Sequence, residues 1–144
     1  MSIAAIITVI YLKNSDAVNG GNIKSYDTIE EAKKNADFGI VYTDRLAGYP
    51  ETGYSSNGST IEITYGDAGS IRKTYAAVSS RPAGEYSEES KQNIDGNIVT
   101  FKGRDGNVYF ALWNENNYVY TIILNESTGG VSADEMTEYV KATK

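Results

Sequence analysis

A chain of 144 residues with neither histidine nor cysteine lacks the side chains that most often serve as general base, thiol nucleophile or soft metal ligand. Its hydrophobic content of 40% and charged content of 22% are those of a globular domain able to bury a core without disulfides. The net charge of −6 and the absence of a Lys/Arg cluster argue against a nucleic-acid partner, because a phosphate backbone calls for a concentrated positive face.

Within one chain, Ser–His and Cys–His dyads are thereby excluded. Carboxylate pairs, Ser–Lys pairs and oxygen-only cation sites remain chemically open, and the lack of cysteine is compatible with either side of a membrane. Arg72-Lys73, the nearest approach to a basic run, fits a solvated strand.

In chain order, the first feature is the apolar run Ile3 to Leu12. It is about half of the ~20 residues a bilayer crossing requires, and no Lys or Arg precedes it, so it lacks the charged front of a secretion signal. Three readings stand side by side: a core strand or helix, the outer half of a membrane helix, and a degenerate signal segment. Residues 1–21 are expected to be this run followed by a linker, closing on Asn19-Gly20-Gly21-Asn22. Residues 22–144 are expected to form a single domain.

A first helix is expected over Thr28–Phe38. Asp27 or Thr28 supplies the N-cap with a glutamate three residues on in either register, and Lys33-Lys34 suits the later dipole. Ile29, Ala32 and Ala36 make the apolar stripe, joined by Phe38, and Gly39 is the expected terminator. The stretch Asp44 to Asn57, with Pro50, is expected to be a long loop. Ser59 to Tyr65 then alternates with Ile61, Ile63 and Tyr65 on one face, and Ile71 to Val78 returns as its hairpin partner after Gly66–Ser70.

Ser79 to Lys91, carrying Pro82, Glu85, Glu88 and Glu89, is expected to be an acidic connection. Asp95-Gly96 and Asp105-Gly106 are turn signals ahead of strands Ile98–Lys102 and Asn107–Trp113, followed by Tyr118–Leu124. A second helix is expected over Ser132–Thr143. Ser132 and Glu135 form a capping box, Val131 and Met136 a hydrophobic staple, and Met136, Tyr139 and Val140 the buried stripe. The fold class is therefore α+β: an antiparallel sheet of five or six strands with two packed helices.

Tyr26-Asp27-Thr28-Ile29-Glu30-Glu31-Ala32, Ile61-Glu62-Ile63-Thr64-Tyr65-Gly66, Ile71-Arg72-Lys73, Val99-Thr100-Phe101-Lys102-Gly103, Ala111-Leu112-Trp113, Tyr118-Val119-Tyr120-Thr121-Ile122 and Ser132-Ala133-Asp134-Glu135-Met136 occur in an order that resembles a Firmicute cell-envelope domain of unknown function. That domain commonly follows a membrane helix, sometimes in anti-sigma-factor-like proteins. The resemblance spans about Asn22 to Thr143. It implies an extracytoplasmic, membrane-anchored or secreted location and an unknown protein or cell-wall component as partner, and it assigns no catalytic residues. One departure is Ala83-Gly84-Glu85-Tyr86-Ser87-Glu88, where the family often carries a Gly-Asp-Tyr-Asn-like stretch.

Twelve tyrosines raise the question of an aromatic ligand surface. Tyr109 and Trp113 share one face with Ala111, and Tyr118 and Tyr120 share a parity with Ile122 and Leu124. These four are the candidate platform for a glycan, peptide or lipid, against the alternative that they are cross-strand packing pairs. Glu85, Glu88 and Glu89 do not have the spacing of a twelve-residue calcium loop, so no metal or cofactor is expected. No local signal supports a hydrolytic carboxylate pair. The functional expectation is a non-catalytic sensor or interaction domain, with a small-ligand binder as the alternative.

Overall fold

The computed structural model describes residues 22–76 and 85–144. The run Ile3–Leu12, the linker up to residue 21 and the middle of the connection around Pro82 lie outside these residues. Eight strands form one antiparallel sheet: β1 (Lys24–Tyr26), β4 (Gly53–Ser56), β5 (Thr60–Thr64), β6 (Gly69–Tyr75), β7 (Glu88–Ile94), β8 (Asn97–Arg104), β9 (Asn107–Glu115) and β10 (Tyr118–Leu124). Their spatial order is β1-β4-β5-β6-β10-β9-β8-β7. Two consecutive meanders, β4–β6 and β7–β10, are thus joined side by side through β6 and β10. A separate two-stranded ribbon pairs β2 (Arg45–Leu46) with β3 (Tyr49–Pro50). Two helices complete the α+β fold: α1 (Ile29–Ala36) and α2 (Ala133–Lys141). Among the described residues no helix is long and apolar enough to cross a membrane.

The sheet exceeds the expected five or six strands, and the additions are the ones local signals hide. β1 and β4 are short and polar, with Lys24, Ser25, Ser55 and Ser56 among their residues. β7, Glu-Glu-Ser-Lys-Gln-Asn-Ile, was expected to belong to an acidic connection as far as Lys91. Its strand conformation comes from β8, which pairs with all seven of its residues, and from the turn between them. Asp95 and Gly96 both have positive φ, the condition of a two-residue hairpin whose twist matches its strands. Asp105-Gly106 and Asn116-Asn117 do the same for the next two hairpins. The expected long loop from Asp44 to Asn57 is likewise replaced by β2, β3 and β4, with Leu46 buried.

Period-two alternation puts one set of side chains on the inner face. Ile63, Ile71, Ile122, Ala111 and Phe101 stand opposite one another across five strands, and Ile61, Lys73, Tyr120 and Trp113 form the next row. Ala32 and Ala36 of α1 and Met136, Tyr139 and Val140 of α2 belong to the same buried cluster. Three elements therefore cover this face: α1 over β1, β4 and β5, the stretch between Gly39 and Thr52, and α2 towards β9 and β7.

Both helices begin as their caps dictate. Thr28, not Asp27, is the N-cap of α1, its hydroxyl accepting from Glu31 N–H at 3.2 Å. Ser132 accepts from Glu135 N–H at 3.1 Å. α1 stops two residues before the expected Phe38 because Asp37 takes the left-handed conformation at φ 66° and its N–H returns to the Lys33 carbonyl. Aspartate thus does there what Gly39 was expected to do.

Candidate functional site

Of the four aromatic side chains singled out in the sequence, Trp113, Tyr118 and Tyr120 lie on the inner, helix-covered face, while the β8–β9 register shift skips Tyr109 and breaks the alternation there, leaving its ring beside Arg104. Trp113 and Tyr120 are opposite residues of β9 and β10, and their rings stack at 5.1 Å with planes 6° apart. They are 2% and 3% exposed, and Tyr109 is 7% exposed. Tyr118 alone is half-buried, its ring 4.9 Å from Phe38 and 6.2 Å from Tyr75. A ligand platform needs its rings open to solvent together, and three of these four are committed to core packing. The geometry is that of cross-strand pairs.

The acidic residues are also engaged locally. Glu88 accepts the Gly106 N–H at 3.0 Å, and Glu89 lies 3.9 Å from Lys91 and 3.8 Å from Lys102. The Glu85 carbonyl accepts from Arg104, which also pairs with Glu126 and lies over the Tyr86 and Tyr109 rings. No group of three or more acidic side chains is placed to hold a metal ion among the described residues. A surface cleft of about 200 Å³ lies between β7, β8, the Gly106–Val108 turn and Ala133, smaller than the ~300–1,000 Å³ of ordinary small-ligand sites.

The residue that sequence reasoning misplaced is Lys73. Expected on a solvated strand with Arg72, it is 8% exposed, while Arg72 faces the other way and pairs with Glu62 at 3.2 Å. The signal was available: Lys73 shares parity with Ile71 and so points inward with it. Its ammonium donates to the Gly39 carbonyl at 2.7 Å and the Lys144 carbonyl at 3.4 Å. It lies 4.3 Å from the Tyr118 ring centre, 5.4 Å from Phe38 and 5.6 Å from Tyr120. Burial lowers its pKa, opposed by the Glu115 carboxylate. The rings and carbonyls supply the negative potential that lets the cation remain inside.

Two tyrosines fasten the same covering stretch. Tyr65 donates to the Thr43 carbonyl at 2.6 Å, and the Ala47 N–H donates to the Tyr139 hydroxyl at 2.9 Å while that hydroxyl donates to Glu135. Burial, first among the causes, pushes Tyr42, Tyr120 and Tyr139 up to about 12 and Tyr65 also upward. The unfolded chain ionises near the ordinary tyrosine value of about 10. The folded state therefore holds more protons between these limits, and stability falls as pH rises through them. Stabilisation from these phenols should be complete below pH 10 and lost towards pH 12. Tyrosinate absorbance should show these four ionising only with cooperative alkaline unfolding. Ionisation of these four without cooperative unfolding would contradict their burial.

No family model, curated protein or solved structure matches this chain.

Proposed function

We propose that the chain is a non-catalytic sensor or interaction domain of the extracytoplasmic cell envelope, with an unidentified protein or cell-wall component as partner and a membrane tether N-terminal to residue 22. The observation carrying the non-catalytic part is the use made of the buried ionisable side chains. Tyr65 and Lys73 come from the β5–β6 hairpin and Tyr139 from α2, and each forms a hydrogen bond with backbone between Gly39 and Ala47. Groups that could move protons are thereby occupied in holding the sheet's cover in place, while histidine and cysteine are absent from the sequence altogether. Location is supported by the apolar run Ile3 to Leu12 and by the ordered resemblance to envelope domains.

The test is cellular. The chain in its full gene context, tagged at the C-terminus, should sediment with membranes and be cleaved by protease added to intact protoplasts. Removing residues 3–12 should release it from the membrane fraction. A protein that stays in the soluble lysate and resists protease until the cells are broken would overturn the envelope reading.

A further inference from the structure

The main sheet has one long free edge, β7. It pairs with β8 on one side, and no described residue pairs with the other. The opposite edge, β1, has only three residues. β7 has seven, with no proline, glycine or bulge, the usual means of blunting an edge. An outward lysine is another such means, but Lys91 is folded back over its own sheet. Its Nζ is 3.1 Å from Thr100 Oγ1 and 3.9 Å from the Glu89 carboxylate. Glu88, Glu89, Ser90, Lys91 and Asn93 are exposed.

The direction of the free backbone groups follows from the hairpin. A two-residue turn at Asp95-Gly96 makes Ile94 and Asn97 the closing hydrogen-bonded pair, so Gln92, Ser90 and Glu88 also exchange hydrogen bonds with β8. The N–H and C=O groups of Glu89, Lys91 and Asn93 consequently point away from β8.

We propose that this edge pairs antiparallel with β7 of a second copy of the chain, about a two-fold axis through Ser90. Outward-facing residues must meet outward-facing residues, which leaves four axis positions along the middle of the strand. An axis at Glu89 opposes that carboxylate to its own copy, and one at Lys91 opposes two ammonium groups. An axis at Gln92 brings no charged residue of the strand opposite a charge, Lys91 meeting the partner's Asn93. Within the strand only the axis at Ser90 sets opposite charges against each other: Glu89 faces the partner's Lys91, Lys91 faces the partner's Glu89, and Ser90 meets its own copy. The two four-stranded meanders nearest the axis then become one continuous sheet. A contact of this length falls in the weak class. It does not depend on the envelope location.

Sedimentation equilibrium of the full chain, from micromolar to millimolar, tests it. The wild type should show a monomer–dimer equilibrium. Glu89→Lys and Lys91→Glu should each weaken it about tenfold or more, since both symmetry-related pairs turn repulsive. An equimolar mixture of the two variants should dimerise again, because every facing pair is then opposite in charge. Circular dichroism should confirm that both variants keep their strands, and Lys91→Pro, which removes an outward N–H together with the ammonium and leaves the bonds to β8 in place, gives a third route to the monomer. A wild type that is monomeric throughout, a dimer indifferent to these changes, or a mixture that fails to associate would each overturn the proposal.

Discussion

Met136→Asp is expected to leave the chain unfolded, or with only residual structure, at 25 °C. Met136 is fully buried at the interface of α2 with the sheet. Removing its side chain costs about 2–5 kcal/mol through lost burial and the cavity left behind. A carboxylate in its place adds a desolvation cost of several kcal/mol. The position lies one turn into α2, where a negative charge gains at most about 1 kcal/mol from the helix dipole, too little to compensate. Since small domains are held by only about 5–15 kcal/mol, the sum is comparable to the whole stability. Urea titration with a circular-dichroism readout measures it. Glu138→Gln, on the exposed side of the same helix, should leave the midpoint unchanged. A midpoint equally unmoved by Met136→Asp would show that α2 does not dock on the sheet.

Gly103→Ala should produce the next largest loss, at least about 3 kcal/mol. The β8–β9 register shifts between Lys102 and Gly103, and a Cβ added at Gly103 would lie 1.8 Å from the Asn107 carbonyl oxygen. The obstructing atom is backbone held in a sheet, so the strand pair itself must move. Gly106, three residues on in the turn, has φ +80° with nothing within 4 Å of an added Cβ. Gly106→Ala should cost only the strain of a left-handed residue, about 1–2 kcal/mol. Thermal unfolding of the two variants should rank them in that order. Equal losses would mean that conformation, not the close approach of β8 and β9, governs the hairpin.

The contrast between these two glycines illustrates how legible the fold was. Ser132 with Glu135, and Thr28 with Glu31, mark the helix starts because a cap is a local hydrogen bond between residues three apart. The alternation through Ile61, Ile63 and Tyr65 marks β5 because one face of that strand is buried. Strands β1, β4 and β7 carry no such signature. An edge or near-edge strand can be polar on both faces and still be held by its neighbour's backbone, as Ser90 is by Phe101. The turn at Asn116-Asn117 was readable from composition in the same way as Asp95-Gly96.

The candidate ligand surface was the least legible part. Parity places Trp113, Tyr118 and Tyr120 on one side of the sheet but fails at Tyr109, where the β8–β9 register shift breaks the alternation, and parity does not say whether a side meets water or helix. The same limit applies to Lys73, whose inward direction followed from Ile71 but whose role did not. Its partners, Gly39 and Lys144, are far from it in sequence.

Local chemistry along the chain determined where helices begin, where hairpins turn and which residues share a face, because capping, turn conformation and strand periodicity act over a few neighbouring residues. Only the tertiary structure decided which face the helices cover, that the Trp113 and Tyr120 rings lie on that face, and that β7 has no second partner among the described residues. Those outcomes depend on pairing between segments tens of residues apart, where burial of the whole inner face outweighs any local preference.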